Sequence, residues 1–339
     1  MAVQASRRHK RLVLAFTCIG RRVSLLKAFR AAAEGLGVRL EVIGTDVTAD
    51  SAALQCCDRK VLVSRVDHPE YLSDLLALVR RHQVELLVPT VDLDLKLLAR
   101  HREAFAEAGC HVLVSAPEVI AICQDKRRTC RFLEARGFCT PRTLSLSEAL
   151  RKRQPYPLFL KPWDGAAARG NVVVRNRKEL EFFGRRLRHC IVQEFIAGPE
   201  YTCDAYVDRD LRVRCVVPRQ RVAVRGGEVS KARIVKDRMM MERVGRLVEA
   251  LGAGPGVITI QLIKDRRGRY VFIEINPRFG GGVPLSIEGG ANFPAWILAE
   301  HLGRAPRIRW DGFRNGLLML RYDAEVWVRR REEVEHGGV

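Results

Sequence analysis

Short apolar runs alternate with amphipathic stretches through the first third of the chain. Leu12–Ile19 is a continuous apolar run of strand length, and Val23–Glu34 repeats apolar positions at helical spacing before Gly35 and Gly37. Arg39–Gly44 reads as a second strand closing at Thr45-Asp46, Lys60–Ser64 as a third, and Pro69–Gln83 as a helix. Glu85–Pro89 is a fourth strand, Leu93–Ala108 another helix and Cys110–Ser115 a fifth strand. Strands separated by helices of ten to fifteen residues predict a parallel, doubly wound sheet, an α/β domain over residues 1–115.

From Ala116 the pattern changes. Pro117–Arg136 predicts one or two short helices, Gly137 to Pro141 a linker, and Pro155–Phe159 a strand running into Leu160-Lys161-Pro162. Asn171–Val174 and Cys190–Phe195 are further strands flanking a helix at Lys178–Leu187. Glu200–Val207 and Leu211–Pro218 form an expected antiparallel pair, followed by a helix at Arg238–Leu251, a hairpin from Ile258 to Asn276, a loop from Phe279 to Ser286 and a helix at Phe293–Leu302. This second region, residues 116–325, is α+β with mixed or antiparallel sheets. Residues 326–339 form a tail of mixed charge expected to be solvated. In the first region Gly20 follows strand one and Asp46 follows strand two, as in a Rossmann-like unit. The full G-x-G-x-x-G loop is missing, so no dinucleotide site is expected there.

A hydrophobic fraction of 47% with 29% charged residues over 339 positions is ordinary for a globular protein of two or three domains. No apolar run reaches the roughly 18 residues that span a bilayer, so no membrane partner is expected. The start, Arg7-Arg8-His9-Lys10-Arg11 before Leu12, has the outline of a signal peptide. Gly20-Arg21-Arg22 follows without a small-residue cleavage site, which favours a first strand. The ten cysteines are scattered and include no C-x-x-C pair, which reads as buried thiols of a reducing cytoplasm. The formal charge of +20 is the outlier. It is mostly arginine, spread over most segments, with no nucleic-acid motif or aromatic stacking platform. Attraction for anionic small molecules explains it more economically than nucleic-acid binding.

Three stretches carry candidate chemistry. In the Ile258–Asn276 hairpin, residues two apart share a face, so Glu274 and Asn276 project together. A tight turn at Arg267-Gly268 would pair Arg266 with Arg269 and set Gln261 opposite Glu274. One carboxylate and two amide carbonyls, with Arg278 just beyond, suit Mg²⁺ and a polyphosphate. Lys161 closes an apolar strand before Gly165, Ala166, Ala167, Ala168 and Gly170, where close N–H donors and one cation suit phosphates. In Gln193-Glu-Phe-Ile-Ala-Gly-Pro-Glu200 a strand stops at Gly198-Pro199. Backbone groups from Glu194 to Ile196 are placed to meet an adenine edge, with Glu200 an acceptor for ribose hydroxyls.

Taken in order, Lys126, Lys161 with its small-residue loop, the strand ending in Gly-Pro-Glu200, and Gln261 before Glu274-Ile-Asn276-Pro-Arg278 resemble the ATP-grasp superfamily. The likeness is to the synthetase units of the carbamoyl-phosphate synthetase large subunit and to stand-alone carboxylate–amine ligases of the PylC type. Upstream, Ile19–Leu26, Asp67–Tyr71, Val88–Asp92 and Ser115–Glu118 look like the pre-ATP-grasp domain of that group. The resemblance implies a Rossmann-like pre-ATP-grasp sheet followed by a two-lobed ATP-grasp fold, with residues 143–190 as a lid. It implies ATP with one or two Mg²⁺ (Mn²⁺ as a substitute), Lys126, Lys161, Ala166 and Ala167 on phosphates, Glu194 and Ile196 on adenine and Glu200 on ribose. Gln261, Glu274 and Asn276 would hold metal, while Lys161 and Arg278 would act on the transferred phosphoryl group. The implied reaction joins a small carboxylate to an amine through an acyl phosphate, releasing ADP and phosphate. A homodimer is compatible with it. Arg219, Lys231, Gly281 and Ser286 are the candidates for the substrate pocket. Phosphorylation of carbamate or bicarbonate, or ATP binding without catalysis, are the alternatives.

Overall fold

The computed structural model describes residues 10–165, 170–187, 189–328 and 335–336. The chain forms two compact units. One takes the chain to Val114 with Asn292–Ile308 and the chain from Asp323, and the other takes Ser115–Ala291 with Arg309–Tyr322.

The first unit opens with β1 (Arg11–Thr17), α1 (Val23–Gly35), β2 (Arg39–Asp46), β3 (Arg59–Leu62), α2 (Tyr71–His82) and β4 (Leu86–Pro89). Helices α3 (Leu95–Arg100) and α4 (Arg102–Glu107) and strand β5 (His111–Val112) follow. The sheet runs β3-β2-β1-β4-β5 with every pair parallel, as the alternation predicts. Leu12, Leu14, Ala15 and Phe16 are fully buried, because a parallel sheet is covered on both faces and its strands need continuous apolar runs. The single helix expected over 93–108 is two, divided at His101. Asp46 Oδ2 accepts the N–H of Gly20 at 3.0 Å, so the carboxylate itself occupies a backbone donor of the first crossover turn.

The second unit begins with α5 (Pro117–Cys123), α6 (Lys126–Ala135), β6 (Thr143–Ser145) and α7 (Leu146–Arg151). Next come β7 (Leu158–Pro162), β8 (Val172–Val174), α8 (Arg177–Arg186) and β9 (Cys190–Glu194). Then follow β10 (Glu200–Val207), β11 (Val213–Arg225), β12 (Glu228–Ile234), α9 (Arg238–Leu251), β13 (Gly256–Lys264), β14 (Tyr270–Asn276) and α10 (Val283–Glu288). The chain ends with α11 (Phe293–His301), β15 (Leu318–Leu320) and β16 (Glu335–His336). Two antiparallel sheets result, β6-β9-β7-β8 and β14-β13-β10-β11-β12-β15.

Several elements differ from expectation. Helix α7 was not foreseen, although Ser145 and Glu148 form a capping box in which each side chain takes the other's backbone N–H. Strand β12 was also missed. The loop expected over 279–286 ends in helix α10, which carries Pro284 in its first turn. Helix α11 packs on α1 in the first unit, and the tail expected to be solvated contributes β16, parallel to β3. Among the described residues, no helix is long and apolar enough to cross a membrane.

The β13–β14 hairpin reaches the expected pairing by another route. Its turn is wider than Arg267-Gly268: Asp265 Oδ1 accepts the N–H groups of Arg267 and Arg269, and Lys264 pairs with Tyr270. That register is offset by one, and a bulge restores it. Leu262 faces Phe272 while Gln261 faces Glu274, which leaves Ile273 as the extra residue.

At the β9–β10 corner, Lys264 donates its N–H to Pro199 O at 3.0 Å, and a Cβ built on Gly198 would overlap the Lys264 carbonyl. Gly198→Ala should therefore push the corner off β13 and lower stability by on the order of 2 kcal/mol, read as a shifted urea midpoint. An unchanged midpoint would show that the corner yields freely.

Candidate active site

Strand β10 reads Glu200-Tyr-Thr-Cys-Asp-Ala-Tyr-Val207, polar and apolar in strict alternation over its first six residues. Register places Thr202 between Gln261 of β13 and Arg219 of β11, and Asp204 opposite Thr259. Gln261 and Thr259 in turn face Glu274 and Asn276 of β14. One face of four neighbouring strands thus gathers Glu200, Arg219, Gln261, Glu274 and Asn276 among the residues singled out in the sequence.

At the β14 edge the amide of Gln261 donates to Glu274 Oε2 at 2.9 Å, and Lys126 Nζ lies 3.8 Å from Glu274 Oε1. Lys126, the first residue of α6, also donates to the carbonyl of Gly165 at 2.5 Å. Lys161, the penultimate residue of strand β7, is 5% exposed and donates to the carbonyl of Ile273 at 3.3 Å. Burial pulls its pKa down to about 8; Glu274 opposes that shift and Lys126 adds to it. Two ammonium groups and one carboxylate therefore share a small region, with less negative than positive charge. An anion entering there meets preassembled cations.

The other candidates are placed as follows. Glu200 is partly buried beside Arg221, 3.0 Å away, and burial raises its pKa against the pull of that guanidinium. Glu194 is committed to the linker: its carboxylate accepts the N–H of Arg142 at 2.9 Å, and its own N–H donates to Arg142 O. Ile196 lies in the irregular segment between β9 and β10. Arg278 follows β14 and donates to the carbonyl of Phe279. Arg219 and Ser286 are both buried on Asp204, Gly281 is partly exposed, and Lys231 is exposed on β12. Ala166 and Ala167 lie outside the described residues.

Three features escaped sequence reading. Asp204, fully buried, forms a bidentate pair with Arg219, both bonds at 2.8 Å, and accepts from Ser286 Oγ at 2.6 Å. Removing one partner of such a pair costs about 3–5 kcal/mol, because the other charge is left buried alone. Thr259 joins this layer to the carbonyl of Arg278. Trp163, at the entry to the small-residue loop, is stacked between the guanidinium of Arg127 and the ring of His189. Only the first had a usable signal, the period-two polar pattern of β10.

The donor set suits a hard divalent cation. Among the described residues no cluster of three or more His, Cys, Asp or Glu could hold a metal. The cluster here is one carboxylate, Glu274, with the amides of Gln261 and Asn276. A Mg²⁺ bound by one carboxylate completes its shell with water and phosphate oxygens, so this set fits an ion that arrives with a polyphosphate.

Lys161 offers a test of the electrostatics. Its folded pKa of about 8 lies below the ordinary 10.5, so above pH 8 the unfolded chain binds more protons than the folded one. The charged amine is a standing cost below pH 8, and stability rises as pH passes from about 8 to 10.5. Relative to Lys161→Met, wild type should gain on the order of 3 kcal/mol over that range, measured as paired urea midpoints under reducing conditions. Parallel pH profiles would mean that the amine is not desolvated.

Comparison with known proteins bears on the domains. Residues 123–282 match the model of an ATP-grasp domain, and residues 14–113 that of a PylC-like, N-terminal domain. A D-alanine–D-alanine ligase of Fusobacterium nucleatum is 27% identical over 110 residues, 32% of this chain and 36% of that protein. The chain thus spans little more than a third of that curated relative. The biotin carboxylase domain of the Hydrogenobacter thermophilus 2-oxoglutarate carboxylase superposes with a TM-score of 0.70 at 19% identity, covering 90% of this chain and 73% of that one. An L-amino acid ligase from Bacillus licheniformis gives 0.66 at 22% identity, covering 90% and 77%. At these identities the structural likenesses speak for the fold alone. The chain thus carries an ATP-grasp domain over residues 123–282 behind a PylC-like N-terminal domain over residues 14–113.

Proposed function

We propose that this protein is an ADP-forming ligase that joins a carboxylate to an amine through an acyl phosphate. The observation that carries the reading is the convergence of Lys126, Lys161, Gln261 and Glu274 at the β14 edge, in a chain whose ATP-grasp match spans all four. ATP is the phosphoryl donor in this reading, and Glu274, Asn276 and Gln261 hold Mg²⁺. When bound, the ion neutralises phosphate oxygens and aligns them for transfer.

The protein's own groups have definite tasks. Lys126 and Lys161 offset phosphate charge, and the negative charge of an arriving phosphate opposes the burial that depresses the Lys161 pKa. Segment 194–196 meets the base, and Glu200 the ribose. A substrate carboxylate oxygen attacks the γ-phosphorus as the bond to ADP breaks, and Arg278 balances charge on the group in transit. The amine then attacks the acyl carbon, phosphate leaves, and a proton is lost from nitrogen. Residues 143–190 act as the lid that keeps water from the acyl phosphate. The acceptor end lies toward β11, β12 and the loop from Gly280 to Ser286, with Lys231 and Gly281 as its accessible candidates. The D-alanine–D-alanine ligase among the relatives favours amino acids as first substrates to try.

An ATP-dependent phosphate-release screen across amino acids and small acids should find a productive carboxylate–amine pair. With that pair, Glu274→Ala or Lys161→Ala should abolish ADP formation while circular dichroism stays native. Full turnover by either variant would sink the assignment.

A further inference from the structure

We infer that Asp204, Arg219, Thr259 and Ser286 are positioning residues that hold the 278–282 loop, and with it Arg278, in its working geometry. The inference rests on the ligase reading for what the loop does in turnover, and on contacts alone for how it is held.

The loop is fastened at alternate residues. The carbonyl of Arg278 takes a hydrogen bond from Thr259 Oγ1 at 3.0 Å. Gly280 lies so close to Thr259 that a Cβ there would be 2.9 Å from its methyl and 3.0 Å from its hydroxyl. Gly282 covers Arg219, and a Cβ would overlap Nη1. Ser286, in the helix that follows, donates to Asp204 Oδ2. Gly281, between the two packed glycines, stays partly exposed while both neighbours are buried.

Asp204 is the common anchor. Its two oxygens take both bonds from Arg219 and the bond from Ser286, and Thr259 Oγ1 stands 3.3 Å from Oδ1. The Thr259 hydroxyl has one hydrogen to share between Asp204 and the Arg278 carbonyl, so the anchor and the loop are linked through a single atom. Arg219 is 1% exposed, and its Nη1 has no hydrogen-bond partner among the described residues. A buried donor left unpaired under a glycine is a costly arrangement, and a loop laid directly over the guanidinium accounts for it. Arg219 and Ser286 thus act on the site through Asp204, not by touching substrate.

The test uses the intact chain with Thr259→Val, Ser286→Ala and the pair combined, leaving the buried charges in place so that folding survives. Amide hydrogen exchange of the peptide spanning 278–288 should quicken in each variant and most in the pair, while exchange in β7 and β9 stays as in wild type. With a productive substrate pair, kcat should fall about tenfold to a hundredfold with KM for ATP within about twofold, and Thr259→Ser should restore both readouts. Unchanged exchange in all variants would overturn the tether. Quickened exchange with undiminished kcat would overturn its role in positioning. Absence of turnover by wild type would count against the ligase reading alone, since exchange still decides how the loop is held.

Discussion

Ile273 has no partner in the β13–β14 ladder, and its carbonyl takes the hydrogen bond of the buried Lys161 ammonium instead. A regular hairpin would spend that carbonyl on strand pairing or turn it to the edge. The bulge thus does two things with one residue. It brings Gln261 opposite Glu274 after a turn that is one residue too wide, and it gives a buried amine an oxygen to bind. The cation, the carboxylate and the amide that make the site all refer to this local irregularity.

Around it the charges are arranged in two layers. The layer at the β14 edge, Lys126, Lys161, Glu274 and Glu200, is incompletely balanced: burial depresses the Lys161 pKa and raises that of Glu200, so both sit further from their charged forms than they would in water. Such groups gain most from a ligand of opposite charge or from a metal. The deeper layer, Asp204 with Arg219, Thr259 and Ser286, is closely paired and reaches the loop after β14 from below. The unbalanced groups respond to ligand, and the paired ones fix where the response takes place.

Much of this was legible in the chain. The parallel sheet followed from apolar runs spaced by helices, and Lys126, Lys161, Gln261, Glu274, Asn276 and Arg278 were named from order and type. The pairing of Gln261 with Glu274 was also foreseen, but from a turn the protein does not use. Asp265 organises a wider turn, and no propensity rule signals that a compensating bulge lies inside an apolar run. Strand β12 and helix α7 were missed because each follows a segment that reads as loop, although the capping box at Ser145 was there to be seen. Arg219 and Arg221 looked alike in sequence. The structure separates them, one locked on a fully buried aspartate and the other beside Glu200 near the nucleotide candidates.

The sequence by itself determined the element types, the alternating polar face of β10 and the set of residue types able to hold phosphate and a hard cation, because those depend on local periodicity and side-chain chemistry. Tertiary structure decided which polar residues meet. Asp204, Thr259 and Ser286 are separated by tens of positions, and their hydrogen bonds arise only when β10, β13 and α10 pack together. The lowered pKa of Lys161 is likewise a property of burial that no single stretch of chain encodes. Side-chain identity sets what a group can do, while desolvation and neighbours, which come only with the fold, set what it does.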